Sequence, residues 1–181
     1  PLFRAGLNSP YSSSNVGEQT ILLDNDSSNG NFDNGNVFDL PSRVFTVGVS
    51  GEYVININNL SFAGEILDIG ATEAYVVNLT TGEKYCYTSK FGTSFFSLAP
   101  PENFITSRVF LSSTATLTAG DKLVLKAVFE RIKGSSTNYT VVSASFSVTK
   151  AMSDYPTKSL FVGEFQKPVN VATKAGFMIN E

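Results

Sequence analysis

The 181-residue sequence is 42% hydrophobic and only 16% charged, with a formal net charge of −3 and no basic run, which argues against intrinsic disorder and against nucleic-acid binding by phosphate neutralisation. One cysteine and no histidine exclude an internal disulfide framework, a cysteine-cluster zinc site, histidine metal ligation, and Ser-His-Asp or Cys-His catalysis. The length suits one domain, or one domain with an arm, and the longest apolar runs fall far short of a membrane span.

In chain order the pattern is β almost throughout. Short apolar segments at residues 2–7, 20–23, 37–40 and 44–47 read as strands. Residues 51–58 place Tyr53, Ile55 and Ile57 on one face and Val54, Asn56 and Asn58 on the other, the period of two of a half-buried strand. Further strands are expected at 73–79, 84–88, 94–98, 105–111 and 113–117. Leu123, Leu125, Ala127 and Phe129 alternate with Val124, Lys126, Val128 and Glu130. Val142, Ala144, Phe146 and Val148 alternate with Ser143, Ser145, Ser147 and Thr149, the cleanest alternation in the chain. A slip of one residue would turn such an apolar face into water, so the register is firmly specified. Thr80-Thr81-Gly82 and Ala119-Gly120-Asp121 read as hairpin turns, because glycine supplies the positive φ such turns need. No stretch carries helical periodicity. About ten short strands separated by turns predict an all-β antiparallel sandwich or jelly roll closing near Lys150. Residues 151–181, with Pro156, Gly163, Pro168 and Gly176, read as an extended C-terminal arm that either wraps its own domain or docks on a neighbouring subunit. A chain beginning at Pro1 is expected to have been processed or trimmed, so the want of a leader carries no argument.

Several segments together resemble the globular head domain of complement component one q and its relatives in the tumour necrosis factor superfamily. Phe3-Arg4-Ala5-Gly6-Leu7 is similar to the opening strand of that family. Ile21-Leu22-Leu23-Asp24, Gly30-Asn31-Phe32-Asp33, Phe45-Thr46-Val47 and Gly51-Glu52-Tyr53-Val54-Ile55 follow in the family's order. Leu117, then Gly120-Asp121, then Leu123 match a later strand pair, and Ser145-Phe146-Ser147-Val148 resembles the closing strand. The resemblance spans residues 2–150. It departs at Gly48, where the family has proline, and at Ile55, where it has an aromatic, and no collagen stalk is present. What it implies is a ten-stranded jelly roll that assembles as a homotrimer, with Phe3, Phe45, Gly51, Tyr53, Gly120, Asp121 and Phe146 as fold and interface residues. Proteins of this kind are ligands, adhesion modules or virion parts.

Few residues carry chemistry. The loop 24–33 holds Asp24, Asp26 and Asp33 among amide and hydroxyl side chains, which a calcium ion could use as oxygen ligands. The same residue types make ordinary solvated turns. Cys86 lacks a histidine to activate it, and a small buried apolar side chain is the expectation. Glu65, Asp68, Glu73, Glu83, Asp121 and Glu130 invite a paired-carboxylate hydrolase, though spacing in sequence places no two of them across a sugar. The aromatics of 85–87 and 91–96 suit either a sugar-stacking platform or core and trimer interface. Asn25, Asn59, Asn78 and Asn138 each begin an N-glycosylation pattern.

The expected function is that of a non-enzymatic trimeric module at an extracellular or virion surface: a head fibre, spike or decoration protein mediating assembly or host attachment. The arm would dock on a larger surface or capsid assembly, and the apical loops would meet a cell-surface receptor or glycan. The alternative is a secreted lectin-like or complement-like binding module. A third reading, a polysaccharide-degrading enzyme on the same scaffold, has little support in the residues. No cofactor is expected, calcium at the 24–33 loop apart, and neither nucleic acid nor a membrane span is expected.

Overall fold

The computed structural model describes residues 2–24, 31–65, 69–89, 104–131 and 138–151. The chain divides into two compact units, Pro1–Ala151 and Met152–Glu181. The first holds every element below; the arm expected after Ala151 and the strand expected at 94–98 lie outside the described residues.

Twelve strands and no helix occur among the described residues: β1 (Leu2–Gly6), β2 (Tyr11–Ser13), β3 (Gly17–Thr20), β4 (Phe32–Asp33), β5 (Phe38–Asp39), β6 (Val44–Thr46), β7 (Gly51–Glu65), β8 (Ile69–Asn78), β9 (Lys84–Ser89), β10 (Phe104–Leu117), β11 (Lys122–Arg131) and β12 (Tyr139–Lys150). They form two antiparallel sheets. The first runs β10-β7-β12-β1-β4, with β2 also pairing β12; the second runs β5-β6-β11-β8-β9, with β3 also pairing β11. From β6 onward the chain passes between the sheets at β7, β8, β10, β11 and β12. No helix among these residues is long and apolar enough to cross a membrane.

The alternation seen in the sequence decides which side of each strand is buried. Phe3 and Ala5 of β1, Tyr53, Ile55 and Ile57 of β7, and Phe146 and Val148 of β12 turn toward the second sheet. Phe45 of β6 and Leu123, Leu125, Ala127 and Phe129 of β11 turn toward the first. All are essentially inaccessible to solvent. Removing this much apolar surface from water is the main stabilising term of such a sandwich. Two aromatic nuclei anchor the interior. Phe3 meets Phe38, Phe45 and Phe146 at centroid distances of 4.9, 4.9 and 5.5 Å. Phe129 stacks on Tyr139 at 3.8 Å and meets Phe62 edge-on at 5.0 Å.

The structure corrects the sequence reading in four places. Val142, expected on the buried side of β12 with Ala144, is exposed, because a bulge between Val141 and Ser143 shifts the alternation and buries Val141 instead. Residues 105–111 and 113–117 are one strand, β10, because β7 pairs along its whole length. The break in pattern arises on β7 instead, where Asn58 and Asn59 oppose Phe110 in a bulge. The turn at Ala119-Gly120-Asp121 is not a hairpin: it carries the chain from β10 in the first sheet to β11 in the second. Gly120 does adopt a positive φ of 95°. The turn is held by Thr118 N–H donating to Asp121 Oδ2 (2.8 Å), by Gly120 N–H to Val47 O (2.7 Å) and by Ala119 N–H to Ser50 Oγ (2.9 Å). Finally, the strand expected at 20–23 is β3, ending at Thr20, although Ile21 and Leu23 are buried as the alternation requires and Ile21 N–H still reaches Leu125 O (3.0 Å).

Candidate functional surface

The seven residues singled out by the family resemblance occupy the inside and the turns of one chain. Phe3, Phe45 and Phe146 lie together in the first aromatic nucleus. Tyr53 is fully buried, and its hydroxyl donates back to Val49 O, closing the entry to β7. Gly51 begins that strand with φ of 152°, and Lys150 Cε lies 2.8 Å from where a Cβ would stand. Gly120 and Asp121 build the inter-sheet turn.

The two described carboxylates of the 24–33 loop, Asp24 and Asp33, are taken up by different partners. Asp33 accepts from Val37 N–H through Oδ1 (2.9 Å) and from Phe38 N–H through Oδ2 (3.0 Å), which fixes the turn into β5. Asp24 pairs with Arg43 (3.6 Å) and accepts from Asn8 N–H (3.3 Å). The two sit opposite β1 at Phe3 and Gly6, roughly 10 Å apart along the strand at ~3.3 Å per residue. Asp26 lies outside the described residues. Among the described residues no three acidic, histidine or cysteine side chains converge as a metal site.

Cys86 is buried at a bulge in β9, where the chain takes a positive φ of 50°. Its N–H donates to Ser113 Oγ (2.7 Å) and its thiol to Ile55 O (3.2 Å). Burial pushes the thiol pKa up, against the pull of Ser113, so the group is held as a neutral thiol and ties β9 to the opposite sheet. The bulge also separates its neighbours. Tyr85 points into the core, with its hydroxyl on Glu83 Oε2 (2.9 Å), and Tyr87 points out, so no two-ring platform forms at 85–87. Residues 91–96 lie outside the described residues.

On the outer face of the second sheet, Tyr75, Lys84 and Tyr87 form a compact group. Lys84 Nζ lies 3.8 Å from the Tyr75 ring centroid and 3.5 Å from Glu73. The Tyr75 hydroxyl donates to Glu18, which also pairs with Lys126. Burial, then the Glu18 bond, push the Tyr75 phenol pKa up. The Lys126 bond, then the Tyr75 bond, hold the Glu18 carboxyl low. This network is internally satisfied. Glu73 is thus ion-paired with Lys84, Glu83 holds the Tyr85 hydroxyl, and Asp121 accepts from Thr118 N–H in the turn into β11. Asp68 and the side chain of Glu65 lie outside the described residues.

The outer face of the first sheet differs. Its cross-strand registers align Phe32, Arg4, Ser147, Asn56 and Ser112 in one row over five strands. Beside it stand Ser145, Asn58 and Asn59. Arg4 Nε donates to Ser145 Oγ (3.1 Å), Asn58 Nδ2 to Ser147 Oγ (2.9 Å) and Asn59 Nδ2 to Ser143 Oγ (2.7 Å). The buried Asn59 Oδ1 and Ser61 Oγ have no hydrogen-bond partner among the described residues. Phe110, 65% exposed, stands at its β10 edge. Of the N-glycosylation patterns, Asn78 is buried, and Asn59 is bonded within this face. The polar half of β7 and β12 is visible in the sequence as alternation, but the row itself depends on pairing between residues far apart in the chain.

The sequence matches no protein-family model, and no curated protein matches it.

Proposed function

We propose that this chain is a non-enzymatic, trimeric jelly-roll module of an exterior surface, such as a virion fibre, spike or decoration protein. The strand order supports this reading most. The paths β10-β7-β12-β1 and β6-β11-β8-β9, with the chain crossing between sheets, are what a jelly roll requires. They run over the same residues 2–150 that resemble the complement and tumour necrosis factor heads. Several of the described side chains that could act chemically are committed to structure. Cys86 is a neutral, buried thiol, Asp33 and Asp121 cap turns, and Glu73 is ion-paired. Two exposed aromatic side chains, Tyr87 on β9 and Phe110 on β10, stand on edge strands of the two sheets, where a neighbouring copy could cover them.

Sedimentation equilibrium of the full chain tests the assembly. A closed ring of three copies gives ~58 kDa, against 19.5 kDa for one chain. A mass of one chain at every micromolar concentration would overturn the reading.

A further inference from the structure

We infer that the outer face of the first sheet is the seam between copies of this chain, and that Arg4 of one copy pairs with Glu52 of the next. The inference rests on the trimeric reading above and names the surface and contact that would make it.

The outward side chains described on β1, β12, β7 and β10 are amides, hydroxyls and a few apolar groups, with one cation, Arg4, and one anion, Glu52. Neither belongs to the three ion pairs formed among the described residues. Arg4 uses only Nε, toward Ser145, so both terminal nitrogens of its fork are free to bind a carboxylate in the bidentate manner. Glu52 is exposed and lines a shallow cavity of about 220 Å³ with Thr114, Ala115 and Thr116. The ionised Glu52 carboxylate accepts only, so a donor-rich group such as a guanidinium suits it.

The two charges cannot meet within one chain. Arg4 shares a row with Asn56, across β12, and Glu52 lies four residues before Asn56 on β7. Four residues along and two strands across amount to roughly 16 Å. A cation patch and an anion patch at different places on one face, with neutral hydrogen-bonding groups between them, fit a second copy of the same face. With the cation patch of one copy on the anion patch of the next, the contact is head-to-tail, and it closes into a ring of three when the rotation between copies is one third of a turn.

Charge reversal tests the pair. Sedimentation and light-scattering dilution series would compare the wild type, Arg4→Glu, Glu52→Arg and the double reversal. Each single reversal sets like charges together and is expected to weaken assembly by about 30-fold or more. The double reversal is expected to restore it to within about threefold. Arg4→Gln and Glu52→Gln, which keep a polar side chain, serve if a reversed chain fails to fold by circular dichroism, and each is expected to weaken assembly about tenfold. An assembled wild type whose single variants assemble equally well would overturn this seam and leave the trimeric reading standing. A wild type that is monomeric throughout would overturn the trimeric reading itself.

Discussion

Phe3→Ala is expected to destabilise the fold by about 3–5 kcal/mol and to lower Tm by roughly 10 °C at fixed protein concentration. The ring is fully buried and touches Phe38 and Phe45 of the second sheet as well as Phe146 of its own. Truncation therefore opens a cavity at the junction of the two sheets. The opposing rings belong to short strands pinned by turns, and they have little room to collapse into it. The cost is the lost transfer of the ring from water plus the contacts its neighbours forfeit. Calorimetric or circular-dichroism melts check it, and a Tm change under about 2 °C would contradict a nucleus at this position.

Phe129→Ala is expected to cost a similar ~3–5 kcal/mol. Its ring lies 3.8 Å from Tyr139 with planes 12° apart, and at 86° to Phe62. It joins β11 of the second sheet to β12 and β7 of the first. Tyr139 and Phe146 are seven residues apart on β12, so the two nuclei are separated by roughly 20 Å. Urea unfolding of single and double variants should therefore show costs that add to within about 0.5 kcal/mol. Strong coupling would mean that the two nuclei are not separate.

How much of this was legible in the sequence follows from the range of each interaction. Period-two alternation is local, so the inward sides of β7 and β11, that of β12 from Ala144 to Val148, and the burial of Phe3, Phe45, Tyr53 and Phe146 could be read directly, while the bulge that turns Val142 outward and buries Val141 could not. Gly120 was legible as a positive-φ position, but whether its turn returns within a sheet or crosses to the other depends on distant pairings, and the hairpin expectation failed there. The bulge at Asn58–Asn59 was hidden for the same reason: an extra residue on β7 shows only against β10 and β12. The short strands β2 and β4 have two or three residues each, too few for a pattern. For the surface, Asp24 and Asp33 drew notice by composition, yet each is taken up by a nearby donor. Arg4 and Glu52 drew none, because their belonging to no ion pair among the described residues shows only in the folded chain.

The most direct test of the assembled state is covalent capture of the seam. Arg4→Cys and Glu52→Cys in one chain place two thiols on the face, while native Cys86 stays buried. A short bis-maleimide is preferable to direct oxidation, because an Arg–Glu contact holds the backbones beyond the ~7 Å that a disulfide spans. The account predicts linked species of two and three chains on a denaturing gel, and none when either cysteine is omitted. Single chains alone, from protein whose circular dichroism matches the wild type, would contradict it.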